Sequence, residues 1–217
     1  MKLAQAQAQA QVPAPAPRPY DLGKRALTVA RTRRRILTAA RRLLLEGDTR
    51  VSLEVVALKA GVGRPTIYRH FGSRAALVRA LIAEVAESAN LRPNLEAALA
   101  SAEPRAAVTA CVIASARTWE SDTNLVRALV RISADPEFAS VIEEIEMSRF
   151  RDALVVASKT GGSPAQTKRI AAGLMTLTHP HAYLYLVDVM HVSPAAARSL
   201  LVRISIGLID GGDADGE

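Results

Sequence analysis

Apolar residues recur at helical spacing along most of the chain. Ile36, Leu37, Ala40, Leu43 and Leu44 share one face and predict an amphipathic helix over 32–46, ended by Gly47-Asp48. Ser52 stands where an N-cap is needed for a second helix, 53–60, with Leu53, Val56, Ala57 and Ala60 on one side. Gly61 closes that helix. A third occupies 64–71 and is ended by Gly72. Ser73 opens a fourth that reaches Leu91 and carries Leu77, Leu81 and Val85 inward. Further on, Pro104 follows Glu103, and Asp135-Pro136, Ser163-Pro164 and Ser193-Pro194 each pair a capping residue with a proline suited to a first helical position. Gly161-Gly162 and Gly211-Gly212 close segments. This punctuation predicts helices at 94–102, 104–120, 123–133, 136–160, 164–191 and 194–209. No stretch alternates with period two for long enough to be a strand, so the fold expected is all-α, with about nine or ten helices in total.

Composition changes this picture at the N-terminus. Residues 1–19 alternate Ala with Gln and then Pro with Ala, and have nothing to bury; with the residues that follow they read as a disordered basic arm over 1–30. Charge is uneven. Residues 1–74 hold 15 of the 28 Lys and Arg but four of the 21 Asp and Glu, so this third is +11 and the remainder −4. That is the electrostatic footprint of polyanion binding. Cys111 is the only cysteine, which excludes an intramolecular disulfide and fits a cytoplasmic location. The N-terminus shows no apolar core of a secretion signal. The most membrane-like stretch, 170–192, carries Thr176, Thr178, His179, Pro180, His181, Asp188 and His191, so a buried helix is expected there and no membrane partner.

The chemistry concentrates between Ser52 and Arg74. A two-turn helix, a tight turn at Gly61 and a second short helix make helix-turn-helix spacing, here over 53–72. On a wheel of about 100° per residue, Ile67 and Phe71 fall together and face a core. Pro65, Thr66 and Arg69 lie opposite, flanked by Tyr68 and His70. An exposed Arg can reach guanine O6 and N7, a Thr can touch a base edge, and Tyr and His can bond phosphate oxygens.

The segment A-x-x-A-G-V-G-x-x-T-I-Y-R-H-F-x-S-R-x-x-L at 57–77, after I-L-x-A-A-x-x-L at 36–43, resembles the TetR family of bacterial transcriptional regulators. The resemblance covers about residues 32–80. It implies a helix-turn-helix DNA-binding domain over 31–76 joined to a larger helical effector-binding and dimerisation domain over 77–217. It also implies double-stranded DNA as partner, a homodimer and a repressor's role. Ser52 then matches a phosphate contact, as do Thr66, Tyr68 and His70. Arg64, Pro65 and Arg69 match groove-facing positions. Arg74 stands where a Lys near phosphate is usual, and Arg33 joins the set from the first helix. Gly63 occupies the position of a Ser or Thr cap and lacks its hydroxyl. Ala75-Ala76 lacks the usual acid after the basic residue.

Behind this domain the last two helices are apolar almost all round, which calls for cover by a second subunit. Two copies of the recognition helix related by a two-fold axis predict a palindromic operator. Pro180 should kink or break its helix. Trp119, Met147, Phe150, Met175, His179 and Tyr183 are the candidate lining of a ligand pocket, and the scarcity of polar groups there predicts a small apolar effector. His179 and His181, two apart on a helix, should point about 200° apart, so neither a metal nor another cofactor is expected. The chain shows no nucleophile motif, no paired carboxylates in a catalytic frame and no Gly-rich phosphate loop, so it reads as a regulator and not an enzyme. A constitutive DNA-binding or architectural protein, whose second domain only dimerises, is the alternative.

Overall fold

The computed structural model describes residues 22–211, with side chains from residue 26 onward. The helices are α1 (Leu22–Leu45), α2 (Leu53–Ala60), α3 (Arg64–Phe71), α4 (Arg74–Ser88), α5 (Leu91–Ala100), α6 (Pro104–Ser121), α7 (Thr123–Ile132), α8 (Ala139–Ser158), α9 (Pro164–Leu177), α10 (Pro180–Leu184) and α11 (Pro194–Asp210). A 3-10 turn (Pro136–Phe138) leads into α8, and a π-helical turn (Tyr185–Val189) follows α10. No strand occurs among the described residues.

Helix α1 starts at Leu22 and not near Thr32. The expected arm over 1–30 is therefore corrected: 22–30 are the first turns of α1, and 1–21 lie outside the described residues. No proline or capping residue interrupts 24–34. Once the packed half has nucleated, each added residue gains one hydrogen bond at little cost. In the packed half, Ile36 and Ala40 have no exposed surface and Leu37, Leu43 and Leu44 are buried. These side chains meet Val56 of α2, Ile67 of α3 and Leu81 of α4 in one hydrophobic cluster, which continues through α6 to Leu201 of α11.

The turn between α2 and α3 is held from outside. Gly61 caps α2 at φ 62°. The Arg35 guanidinium donates to the Ala60 carbonyl at 2.6 Å and to the Gly61 carbonyl at 3.2 Å, so the end of α2 is capped by a side chain of α1. Ser52 holds the N-cap position of α2 without making the capping bond expected of it. Its hydroxyl donates to Glu54 instead, at 2.9 Å. Ser73 does cap α4, accepting from the Ala76 amide at 3.1 Å, so the missing acid is made good.

In the second domain α6 is central, packing on α5, α8 and α11, while α9 packs on α8 and α11. Gly173 lets α9 approach α11 closely: a Cβ there would stand 2.6 Å from Leu208 Cδ1. The helix expected over 164–191 is broken. Pro180 has no N–H to donate and its ring crowds the carbonyl four residues back, so α9 stops at Leu177 and α10 restarts with His179 as N-cap. No helix among the described residues is long and apolar enough to cross a membrane.

Gly61→Ala puts a Cβ in the left-handed region and 3.0 Å from Arg35 Nη2. It should cost about 1–2 kcal/mol of unfolding free energy in a denaturant titration. A cost indistinguishable from zero would mean that neither the backbone nor the arginine cap constrains the turn.

Candidate nucleic-acid interface

The two-turn α3 is anchored by Ile67, which has no exposed surface, and by Phe71 at 7%. The opposite side is open. Arg64, Pro65, Tyr68 and Arg69 are exposed, and Thr66 and His70 are half-buried. No described segment of the chain covers this face, so a duplex has a route to it. Arg69 has no ion-pair partner among the described residues. Arg33, on α1, lays its guanidinium over the Phe71 ring 4.7 Å from the centroid, which brings it to the C-terminal end of α3. Burial, then the neighbouring charges of Arg69 and Arg33, push the His70 imidazole below its ordinary pKa.

Three of the polar groups converge on one carboxylate. Tyr68 Oη donates to Glu54 Oε1 at 2.7 Å, Ser52 Oγ donates to Glu54 Oε2 at 2.9 Å, and Arg64 stands 3.6 Å from the same group. The Tyr68 hydrogen bond above all holds the Glu54 carboxyl below the usual carboxylate range. Arg64 also lies over the Tyr68 ring at 5.5 Å. Sequence reasoning missed Glu54, because its partner is 14 residues away on another helix and no periodicity links them. Gly63 begins α3 with extended backbone (φ −71°, ψ 153°), a conformation that a Ser or Thr cap also adopts.

Arg74, expected near phosphate, is engaged within the protein. It reaches away from α3, ion-pairing with Asp135 at 3.2 Å and with Glu137, and lies over the Phe138 ring at 5.0 Å. The physical reason is local: the turn before α8 offers two carboxylates and an aromatic face to a guanidinium that is 23% exposed. Two more arginines bridge the same gap, Arg41 to Asp122 at 2.5 Å and Arg79 to Glu144 at 2.5 Å. The DNA-side unit is thus tied by ion pairs to α7, α8 and the turn between them.

Residues 36–81 match the family described as bacterial regulatory proteins, tetR family. The likeness to that family covers the helix-turn-helix and the helices beside it. The matched residues run from the packed half of α1 into α4. Solved structures give the same fold. A TetR-like transcriptional regulator from a Rhodococcus species is 18% identical, with 83% of this chain and 96% of that one covered at a TM-score of 0.61. The tetR-family regulator PfmR from Thermus thermophilus is 18% identical over 81% and 94% of the two chains, with a TM-score of 0.54. The multidrug binding protein EbrR, solved with imidazole, is 20% identical over 79% and 93%, with a TM-score of 0.53. Comparison with curated proteins gives no match.

Behind the DNA-side unit lies a cavity of about 610 Å³ between α4, α5, α6, α7 and α8, with apolar walls that include Ile82, Leu95, Val126, Leu129 and Ile142. Of the expected pocket residues, Trp119 and His179 line it. Met175 lies instead in a more open neighbouring cleft that shares His179, His181 and Glu146. The other three expectations are corrected. Met147 is 53% exposed on the outer face of α8, Tyr183 is fully buried in the core, and Phe150 packs against that core without lining the cavity. Helical spacing alone does not say which side of α8 faces inward, because apolar residues occur all round it.

His179 and His181 do not point apart. With the helix broken at Pro180, His179 is an N-cap, and its Nδ1 lies 3.0 Å from Nδ1 of His181. No cluster of three or more metal-ligating side chains occurs among the described residues.

Glu54→Gln removes a negative charge from the rim of α3 and loosens its hold on Tyr68 and Ser52. DNA affinity should rise roughly threefold to tenfold at low salt, with the gain shrinking as salt is added. Fluorescence anisotropy with a labelled duplex reads this directly; unchanged or weaker binding would place Glu54 away from the phosphates.

Proposed function

We propose that this chain is a ligand-released repressor that binds a palindromic operator as a homodimer. The observation that carries the reading is the position of the cavity. Arg79, Ile82, Val85 and Ala86 of α4 form part of its wall, and α4 begins directly after the Gly72-Ser73 link from α3. An occupant therefore touches the helix to which the recognition helix is joined. A coupling of about 1–3 kcal/mol between the two sites would suffice for regulation.

On DNA, Arg69, Thr66, Arg64 and Pro65 face the major groove. Tyr68, His70, Ser52, Arg33 and the backbone at Gly63 meet phosphates, with Tyr68 and Ser52 exchanging Glu54 for phosphate oxygens. The second subunit covers the outer side of α10, the π-helical turn and α11. Tyr185 is 56% exposed there, Val189 58%, Met190 56% and Ile204 44%, an apolar surface of the kind that subunit contacts bury.

The effector is small and apolar. Most charges around the cavity are already paired: Arg149 with Glu146 at 2.7 Å, Arg79 with Glu144, and Arg92 with Asp152 at 3.7 Å. A charged ligand would have to break such a pair. Small-molecule binding by EbrR, a protein of the same fold, supports a ligand-binding role for this domain.

Selection of bound duplexes from a random pool should return a two-fold consensus, and Arg69→Ala should weaken binding to it by about 1–3 kcal/mol. An equal loss on random DNA moves Arg69 to phosphate, and a consensus without symmetry rejects the dimer on DNA. Ile204→Arg should convert dimer to monomer in sedimentation velocity while leaving the thermal transition cooperative. A dimer that survives this change assembles through another surface.

A further inference from the structure

The break at Pro180 does more than end a helix, because it fixes the hydrogen-bonding states of two histidines on the cavity wall. As N-cap of α10, His179 accepts the backbone N–H of His181 on its Nδ1, at 3.3 Å. A nitrogen that accepts a backbone N–H carries no proton. The close contact between the two Nδ1 atoms, 3.0 Å, then has one polarity: Nδ1–H of His181 donates and Nδ1 of His179 accepts. The two rings are stacked, with centroids 4.8 Å apart and planes within 14°. The proton of His179 is left on Nε2, which stands 3.7 Å from the Glu146 carboxylate. Burial, then the neighbouring Arg149 charge, pushes the His179 imidazole below its ordinary pKa.

The Nε2 of His181 is one of the groups left for a ligand, beside the Ser148 hydroxyl and the second carboxylate oxygen of Glu146. His181, itself exposed, borders both the cavity and the more open cleft beside it, and its Nε2 has no protein partner among the described residues. Most other polar groups of the inner wall are spent. Trp119 Nε1 donates to the Thr178 carbonyl at 3.1 Å, and Ser115, Thr118 and Ser133 donate to carbonyls of their own helices. Arg149 divides its donors among Glu146, Thr178 and the Met175 carbonyl. Glu87 and Asn90 stand exposed at the mouth. The wall thus offers an apolar molecule contact area and, at His181, a hydrogen-bond acceptor whose orientation is set by its neighbour.

We propose that the effector of this regulator is an apolar molecule bearing a hydroxyl or N–H group, which donates a hydrogen bond to Nε2 of His181. This rests on the cavity being the effector site. A donor fits the acceptor lone pair, whereas an ether or ester of the same shape has no proton to give it and forgoes that hydrogen bond. Anionic groups are disfavoured because Glu146 lies at the other end of the histidine pair.

The test uses the full-length protein and a matched pair of probes, 4-tert-butylphenol and its methyl ether, titrated by isothermal calorimetry. The phenol should bind roughly tenfold more tightly than the ether. In His181→Phe, which keeps an aromatic ring at an exposed position, the two affinities should become equal through loss on the phenol side. His181→Gln, which retains an acceptor oxygen, should restore part of the preference. Equal affinity of the two probes for the unaltered protein overturns the role of His181 and leaves the ligand-responsive reading standing. Binding of neither probe at its solubility limit counts against both. A phenol preference that persists in His181→Phe assigns the acceptor to another group and also overturns the proposal.

Discussion

Two turns of helix do not hold together in water, so α3 exists because Ile67 and Phe71 are buried against α1 and α4. Every other property of the DNA face follows from that seating. With Ile67 inward, Arg64, Tyr68 and Arg69 have to point outward, and the Arg33 guanidinium on the Phe71 ring keeps a positive charge at the far end of α3. The turn before it is equally dependent. Gly61 supplies a left-handed backbone, and Arg35 satisfies the carbonyls that the end of α2 leaves free. Arg35, one arginine of the basic run, therefore has structural partners on the protein, and a count of positive charge overstates what is free for phosphate.

The ion pairs between the two halves of the molecule give the same lesson at longer range. Arg41, Arg74 and Arg79 leave from α1 and α4 and end on carboxylates of α7, α8 and the turn between them. Each is partly exposed and contributes little stability alone. Their placement matters more than their strength, because they fix how the DNA-side helices sit on the second domain. A hydrophobic cluster that runs without a break through α4 adds the rigid part of that connection. Movement of α4 is then felt at both ends, at α3 through a two-residue link and at the cavity through its own side chains.

The sequence is most legible where structure is set by near neighbours. The bounds of α2 and α3 follow from Gly61, Gly72 and the apolar spacing between them, and the prolines that open α6, α9 and α11 announce those helices. It is least legible where the deciding partner is distant. Arg74 looks like a phosphate ligand until Asp135 and Glu137 are brought beside it by the packing of α8. The start of α1 escapes a reading built on apolar spacing, because the buried face of this helix begins only at Ile36 and Leu27 and Val29 are exposed. Of the residues expected at a pocket, Trp119 and His179 line the cavity, whereas Met147 lies on a side of α8 that faces solvent. The DNA face itself is readable because Ile67 and Phe71 leave it only one orientation.

Pro180 connects these observations. A continuous helix over 164–191 would have sent His179 and His181 to different sides and closed the wall with an unbroken row of side chains. The proline gives up backbone hydrogen bonds and replaces them with a histidine cap, a short helix and a π-helical turn, an arrangement less regular than the sequence around it would support. The void beside it is a second departure from best packing, since a space of about 610 Å³ forfeits dispersion contacts that larger side chains could have made. Two local departures from the most stable arrangement, side by side and on the wall shared with α4, are hard to explain as accidents of packing. Under the proposed function, the occupant of the cavity restores part of the contact that these two departures give up.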